Sequence, residues 1–200
     1  MSQYFDTTET VTLCRDGLNG PHHPSQLKGL SLVEKGSTLL DVGCGSGTTL
    51  EAIQRFYPEK EIKYKGLDAV KMHVDWCKEK WPEIEFEQQD GMKLKEADNS
   101  WDVVWSRHVV DHMKSFETAL TEHIRVAKKK VICVLWYSFS GSGKHEINKV
   151  HYDKDYTEYL NTYGEQPVRD FLKNYKHHIY EKIGMFINEG DVIIEIDLWK

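Results

Sequence analysis

The sequence predicts an α/β domain whose mainly parallel sheet is covered by helices on both faces. Three observations carry that prediction. From Ser37 to Tyr137 short apolar runs alternate with longer stretches of helical period, the order that builds a parallel sheet between helices. The last of these runs, Val131-Ile132-Cys133-Val134-Leu135-Trp136-Tyr137, is apolar on both faces, as a central parallel strand must be. A chain of 200 residues is about one domain's worth, long enough for one sizeable core and too short for two comfortable ones.

Taken in order, the first 30 residues, with Gly20-Pro21-His22-His23-Pro24, read as a loop or short-helix appendage. Thr38-Leu39-Leu40-Asp41-Val42 is the first strand, and it runs into Gly43-Cys44-Gly45-Ser46-Gly47. The helix that follows carries Leu50, Ile53 and Phe56 on one face and stops at Pro58, which cannot continue it. Ile62 to Leu67 is the second strand, closed by Asp68, and a helix from Val70 to Lys80 turns Val74 and Cys77 inward before Pro82. Ile84 to Gln88 is the third strand and Trp101 to Trp105 the fourth, which ends in Ser106-Arg107-His108. A helix from Phe116 to Ala127 places Leu120, Ile124 and Ala127 on one stripe and leads into the fifth strand. Beyond Tyr137 the pattern weakens. A short helix from Pro167 to Tyr175 precedes a final hairpin, with arms Ile179 to Ile187 and Val192 to Trp199 turned by Asn188-Glu189-Gly190-Asp191. Five strands and two hairpin arms make seven. The organisation is thus a single domain over 1–200, with an appendage at 1–30, a core at 37–137, an insertion at 138–166 and a final helix and hairpin at 167–200.

Composition narrows the class. The chain is 40% hydrophobic and 29% charged, which suits a globule and not a disordered or fibrous protein. No run approaches the roughly 18 apolar residues needed to cross a bilayer. The opening residues Met1 to Asp6 lack the basic-then-apolar order of a secretory signal, so the expectation is a cytoplasmic protein with no membrane partner. The net charge of −6 disfavours nucleic acid held through phosphate contacts. Cys14, Cys44, Cys77 and Cys133 stand far apart, and their spacing supports neither a zinc knuckle nor a disulfide framework.

The chemistry lies where the first strand meets its helix. Glycines there let backbone approach a ligand, and a helix N-terminus offers N–H donors. Asp68 follows Gly47 by 21 residues, where a carboxylate at a strand end can accept both hydroxyls of a ribose. A nucleoside-containing ligand is implied. The dinucleotide fingerprint fails at Thr48, where its third glycine belongs. The triphosphate loop fails as well, because Gly141-Ser142-Gly143-Lys144 has Ser138 in place of the first glycine and His145 after the lysine.

The chain resembles the class I S-adenosylmethionine-dependent methyltransferases over residues 37–137. Leu39-Leu40-Asp41-Val42-Gly43-Cys44-Gly45-Ser46-Gly47 is similar to that family's first motif, Gly66-Leu67-Asp68 to its second, and Gln89-Asp90-Gly91 to its third. Trp101 to His112 is similar to the fourth. The resemblance implies a Rossmann-like sheet of seven strands with an antiparallel strand from the last hairpin, and S-adenosylmethionine as cofactor. It implies that Gly43, Cys44, Gly45 and Gly47 pack against the methionine part of the cofactor, with Asp41 ordering the turn beneath. Asp68 would take the ribose hydroxyls and Ala69 would border the adenine. Asp90 would accept from the adenine amine, with Gly91 and Met92 in the same slot, and the carbonyls of Ser106 and Arg107 would face the ammonium group. The sequence departs from the family at Ala127-Lys128-Lys129-Lys130, where a glycine-bearing turn usually precedes the fifth strand. It also lacks an Asn-Pro-Pro-Tyr-type segment after the fourth strand, which argues against amide- and adenine-amino methylation and for a small-molecule acceptor.

The catalytic candidates are His108, at the expected methyl-donor end of the fourth strand, and Tyr137, which leaves the fifth strand at the same edge beside Phe139. A base is needed only where the acceptor must lose a proton. Local packing is the competing reading of both. His108 and His112 lie four apart but lack a third ligand, so no metal is expected. Tyr152, Tyr156, Tyr159 and Tyr163, spaced 4, 3 and 4 apart, read as one helical stripe that serves either as core or as an acceptor wall. The expected function is methyl transfer to oxygen or nitrogen of a small molecule. A protein or RNA methyltransferase and a silent cofactor-binding partner subunit are the alternatives.

Overall fold

A computed structural model describes residues 20–136, 139, 146–153, 156–186 and 189–198. Seven strands form one sheet: β1 (Thr38–Val42), β2 (Lys63–Asp68), β3 (Glu85–Gln88), β4 (Trp101–Arg107), β5 (Ala127–Leu135), β8 (Lys176–Phe186) and β9 (Glu189–Asp197). Their order is β3-β2-β1-β4-β5-β9-β8. The first five are mutually parallel, and β9 enters antiparallel between β5 and β8. The order reverses between β1 and β4. In open α/β sheets, that switch point, at the carboxyl ends of the strands, is where ligands bind.

Alternation along each strand divides the core in two. Leu39, Val103, Ile132 and Ile193 face one side, with Leu30, Leu50, Ile53, Val74 and Cys77. These last come from α1 (Pro24–Ser31), α2 (Thr48–Phe56) and α3 (Lys71–Lys80). Leu40, Val104, Val131 and Ile194 face the other, against Phe116, Leu120, Val168 and Leu172 of α4 (Phe116–Val126) and α5 (Glu165–Leu172). Local chemistry sets several boundaries. Pro24 opens α1 behind a His23 cap whose ring accepts from Ser25 N–H. Ser115 caps α4 by accepting from Thr118 N–H.

Three expectations need correction. The first described residues are no appendage: α1 buries Ser25, Gln26, Gly29 and Leu30, and Gly29 lets the Trp105 ring lie against its backbone. The lysine run does not precede the fifth strand but begins it. The Ala127 backbone turns extended, and β5 starts there with no intervening glycine turn. The tyrosine stripe is not helical. Residues 146–153 and 156–162 form an antiparallel strand pair, β6 (Glu146–Asp153) with β7 (Tyr156–Thr162). Tyr152 falls on one strand and Tyr156 and Tyr159 on the other, so the 4-3-4 spacing describes no face. The β-branched and aromatic residues of this stretch favour an extended chain, and that preference outweighs the accidental helical spacing. No helix among the described residues is long and apolar enough to cross a membrane.

Candidate active site

The loop after β1 is held in a shape few side chains tolerate. Gly43, Gly45 and Gly47 have φ of 78°, 52° and 78°. A side chain at Gly43 would strike Val109, and one at Gly47 would strike the Trp81 ring. A Cβ at Gly45 meets nothing within 4 Å, so the loop is open at its Cα there. Two amides of the loop, Gly43 and Cys44, donate to the Leu67 carbonyl at 2.7 and 2.8 Å, binding the turn to the end of β2.

Asp68 completes that joint. Its Oδ2 accepts from Gly45 N–H at 2.8 Å, its Oδ1 accepts from Val70 N–H at 2.8 Å, and His73 Nδ1 lies 3.4 Å from Oδ1. One carboxylate therefore fixes the glycine loop and the start of α3 together. Oδ2, which takes only the Gly45 amide, has a second lone pair left for a ligand hydroxyl. Asp41 sits below, fully buried, where Tyr64 Oη donates to its Oδ2 at 2.6 Å and the Thr49 hydroxyl of α2 also bonds it. Burial pushes its carboxyl up to about 7 against those two hydrogen bonds. Cys44 and Cys77 are buried free thiols that both reach the Gly45 carbonyl; Cys133 is likewise buried and free.

On the β3 side, Asp90 is exposed and its Oδ1 accepts from Met92 N–H at 2.9 Å. Ala69 is exposed beside it. Gly91 lies under the Met113 methyl and Val42, too close for a side chain. Asp68, Ala69, Asp90 and Met92 thus follow the carboxyl ends of β2 and β3, on the same side of the switch point as the glycine loop after β1.

The end of β4 has a different character. Ser106 and Arg107 pair with Cys133 and Val134 of β5. Arg107 is buried, donating to Gln26 Oε1 at 3.0 Å, and burial lowers its guanidinium to about 10 although Asp191 and Asp41 favour the charge. His108 follows with φ 53°, a left-handed backbone rare for histidine. Its amide still donates to Val134 O, and its ring stacks on Trp136 at 5.4 Å and 16°. His108 Nε2 lies 2.8 Å from Asp191 Oδ2, and the Ser25 hydroxyl donates to the same oxygen. Burial lowers the imidazole to about 4, Asp191 opposing and Arg107 assisting. Burial would lift the Asp191 carboxyl, but the hydrogen bonds and charges facing it hold it below the ordinary range.

Residues 110–113 carry the β6–β7 hairpin. His112 Nδ1 lies 3.1 Å from Tyr159 O, Asn161 Nδ2 donates to Met113 O at 2.8 Å, and Tyr163 Oη donates to Val110 O at 2.7 Å. Asp111, buried beside them, accepts from Trp136 N–H, and burial raises its carboxyl to about 7. Tyr137 lies outside the described residues. Among the described residues, no three His, Cys, Asp or Glu side chains gather to hold a metal.

Sequence reasoning missed Ser25, Asp191, Trp136 and Asp111. Ser25 and Asp191 stand 166 positions apart, and Asp191 had read as one residue of a hairpin turn. No spacing rule joins such a pair. The proline-capped start of α1, which sets Ser25 and Gln26 facing the sheet, is the nearest thing to a signal.

The donor set fits a nucleoside with a charged amino-acid tail. The Gly45 cradle leaves room where a Cβ would stand, and Ser46 Oγ is buried with no hydrogen-bond partner. Asp68 and Asp90 supply acceptors on the neighbouring edge. Residues 40–135 match the family of methyltransferase domains. The chain is similar to the 2-methyl-6-phytyl-1,4-hydroquinone methyltransferase of Synechocystis, 28% identical over 138 residues that span 68% of this chain and 42% of that protein. The match thus covers less than half of that relative's length. Among solved structures, the chain is similar to one in a complex between the Haloferax volcanii Trm112 methyltransferase activator and a protein assigned as a methyltransferase, with TM-score 0.72 and 18% identity over 98% of both chains. An S-adenosylmethionine-dependent methyltransferase from Aquifex aeolicus gives TM-score 0.65 and 17% identity over 96% of this chain and 98% of that one. At those identities the solved structures speak for the fold.

Proposed function

We propose that the chain, whose residues 40–135 match the methyltransferase domain family, is a class I S-adenosylmethionine-dependent methyltransferase that transfers a methyl group from S-adenosylmethionine to oxygen or nitrogen of a small molecule. The observation that carries the reading is the left-handed glycine loop with its open side at Gly45, tied through Asp68 to the end of β2. Gly43, Cys44, Gly45 and Gly47 would hold the methionine part, Asp68 the ribose, and Ala69, Asp90, Gly91 and Met92 the adenine. The carbonyls of Ser106 and Arg107 would receive the ammonium group, with Asp41 supporting the loop from below. When bound, the cofactor supplies an electrophilic methyl on sulfonium sulfur. The chain's own work is to hold the acceptor in line and exclude water, an effect worth roughly 7–11 kcal/mol where the geometry is ideal. His108 is the proton acceptor for substrates that must lose one. Residues 138–166 and the first 30 close the acceptor side over the core at 37–137.

The relative named for a hydroquinone makes phenolic compounds the first acceptors to assay. Calorimetry with S-adenosylhomocysteine and with NAD tests the donor site, with binding expected for the first only. NAD binding without a response to the sulfur compound overturns the reading. Incubation with isotopically labelled methyl donor and a metabolite pool, followed by mass spectrometry, then identifies whatever acquires label. Binding with no labelled product from any pool would favour a silent partner subunit.

A further inference from the structure

We propose that Cys44 and Cys77 form a dithiol modification site: a peroxide joins the two sulfurs as a disulfide, and the disulfide weakens the donor site assigned to the glycine loop. The second half rests on the methyl-transfer reading, and the first does not. Cys44 lies in the loop after β1 and Cys77 on α3, yet the fold brings both thiols to one atom. Cys77 Sγ and Cys44 Sγ donate to the Gly45 carbonyl at 3.3 and 3.9 Å. Each sulfur also fills the space beside a glycine. A Cβ at Gly47 would stand 3.3 Å from Cys77 Sγ, and one at Gly66 of β2 would stand 3.0 Å from Cys44 Sγ. Both thiols are free and belong to the same buried cluster.

A hydrogen bond between the two thiols, then burial and the Asp68 charge, hold the Cys44 thiol well above its ordinary range. Such a thiol reacts slowly when alone. Its neighbour supplies what a lone buried cysteine lacks, a second sulfur within reach to trap the first oxidation product. The step balances with hydrogen peroxide as oxidant. One sulfur attacks a peroxide oxygen, the S–O bond forms and the O–O bond breaks. The departing oxygen takes the thiol proton, leaving a sulfenic acid and one water. The second sulfur then attacks the first, the S–S bond forms and the S–O bond breaks. The hydroxide leaves with the second thiol proton as another water, and two electrons have passed from the sulfurs to the peroxide. A disulfide has no S–H, so the Gly45 carbonyl loses both sulfur donors. It also holds its two Cα atoms roughly 4.4–6.8 Å apart, which ties the loop to α3. Asp68 Oδ2 grips the amide of the same Gly45, so a displaced loop pulls on the carboxylate assigned to the ribose.

The test treats the fully reduced chain with hydrogen peroxide and reads two things. Intact mass and peptide mapping without reductant report the bond. The mass should fall by about 2 Da, and one Cys44–Cys77 cross-link should account for the loss of two of the four thiols. Calorimetry reports the site: S-adenosylhomocysteine affinity should fall by about tenfold, the effect of two lost hydrogen bonds, and return with dithiothreitol. Cys77→Ser keeps a donor for the Gly45 carbonyl but offers no second sulfur, so its affinity should be the same before and after peroxide. If that variant fails to fold, Cys77→Ala takes its place. A cross-link to Cys14 or Cys133, oxidation without a cross-link, or thiols untouched by peroxide overturns the modification site. A Cys44–Cys77 bond that leaves affinity where it was, or an equal peroxide loss in Cys77→Ser, overturns its effect on the donor site. A reduced parent that binds no S-adenosylhomocysteine defeats the methyl-transfer reading instead, and the cross-link, read by mass, stands or falls separately.

Discussion

The two sides of the switch point are built by different means. The glycine-loop part of the donor side is local: β1, the glycine loop, β2 and its terminal Asp68 are joined by backbone amides and one carboxylate between Thr38 and Asp68. The acceptor side is assembled from distant pieces. Ser25 of α1, His108 after β4, Trp136 after β5 and Asp191 of β9 meet there, and the β6–β7 hairpin docks on residues 110–113. A ligand that many enzymes share can be met by a portable motif. A ligand of its own requires the fold to bring together residues that no local pattern announces.

The sharpest way to separate the two sides is at the glycines. In Gly45→Ala the new methyl meets nothing within 4 Å, and the left-handed backbone costs alanine roughly 1–2 kcal/mol. The fold should persist. The methyl nevertheless enters the space assigned to the ligand, where overpacking costs about 1–3 kcal/mol more. S-adenosylhomocysteine affinity should therefore fall about 100-fold by calorimetry while the thermal midpoint moves by only a few degrees. Gly43→Ala should do the reverse, since its methyl collides with Val109, a residue of the acceptor side, and the fold itself yields. Unchanged ligand affinity in a folded Gly45→Ala would break the division.

Asp68 comes next. Asp68→Ala removes a charged acceptor worth roughly 1.5–3 kcal/mol, or about 10- to 150-fold in affinity. It also releases the Gly45 and Val70 amides, so part of the loss reflects a loosened loop. Asp68→Asn keeps the shape and one acceptor oxygen and should fall between the parent and the alanine variant. Equal binding in all three would remove Asp68 from the donor site.

The same contrast explains what could be read from sequence. Strand β1 was legible to the residue, and the remaining core strands to within a few positions, because a two-sided apolar run bounded by glycine, proline or aspartate has few other uses. The order of motifs from Asp41 to Arg107 followed from that. The acceptor side was not legible. Tyr152, Tyr156 and Tyr159 imitate a helical period although they fall on two paired strands. Ser25 and Asp191 carry no mark of their meeting, since burial of a serine and an aspartate against one another is a property of the closed sheet. His108 was legible as a candidate, but its partner was not.

Protonation offers a smaller and opposite pair of effects. The Asp41 carboxyl titrates near 7 in the folded chain and near its ordinary value, about 3.9, when unfolded. Between those values the folded state holds the extra proton, so stability falls as pH rises, by up to about 1.4 kcal/mol per pH unit. Asp41→Asn lacks that slope and should gain on the parent between about pH 4 and pH 7. His108 runs the other way: its folded value of about 4 lies below the unfolded 6.5, so its contribution is lost as pH falls through that window. His108→Gln should gain on the parent as pH drops. Denaturant midpoints at four pH values would show both slopes, and parallel curves would contradict the burial of either group.

The least costly change tests whether the hairpin belongs to the acceptor side at all. Tyr163 is buried, and its hydroxyl donates to Val110 O at 2.7 Å while Asn161 Nδ2 lies 3.2 Å from it. Tyr163→Phe keeps the ring against Phe116 and removes only the donor, so the net loss should be about 1 kcal/mol, or roughly 2–4 °C in thermal midpoint. Val110 stands three residues before Met113, whose methyl lies over Gly91 of the adenine edge, so a disturbance there could reach either ligand. If the docking serves the acceptor, S-adenosylhomocysteine affinity stays at the parental value and transfer slows once an acceptor is in hand. A fall in donor affinity with the midpoint unmoved would assign residues 110–113 and the hairpin they carry to the donor site, and the boundary between the two sides would have to be redrawn on the far side of β4.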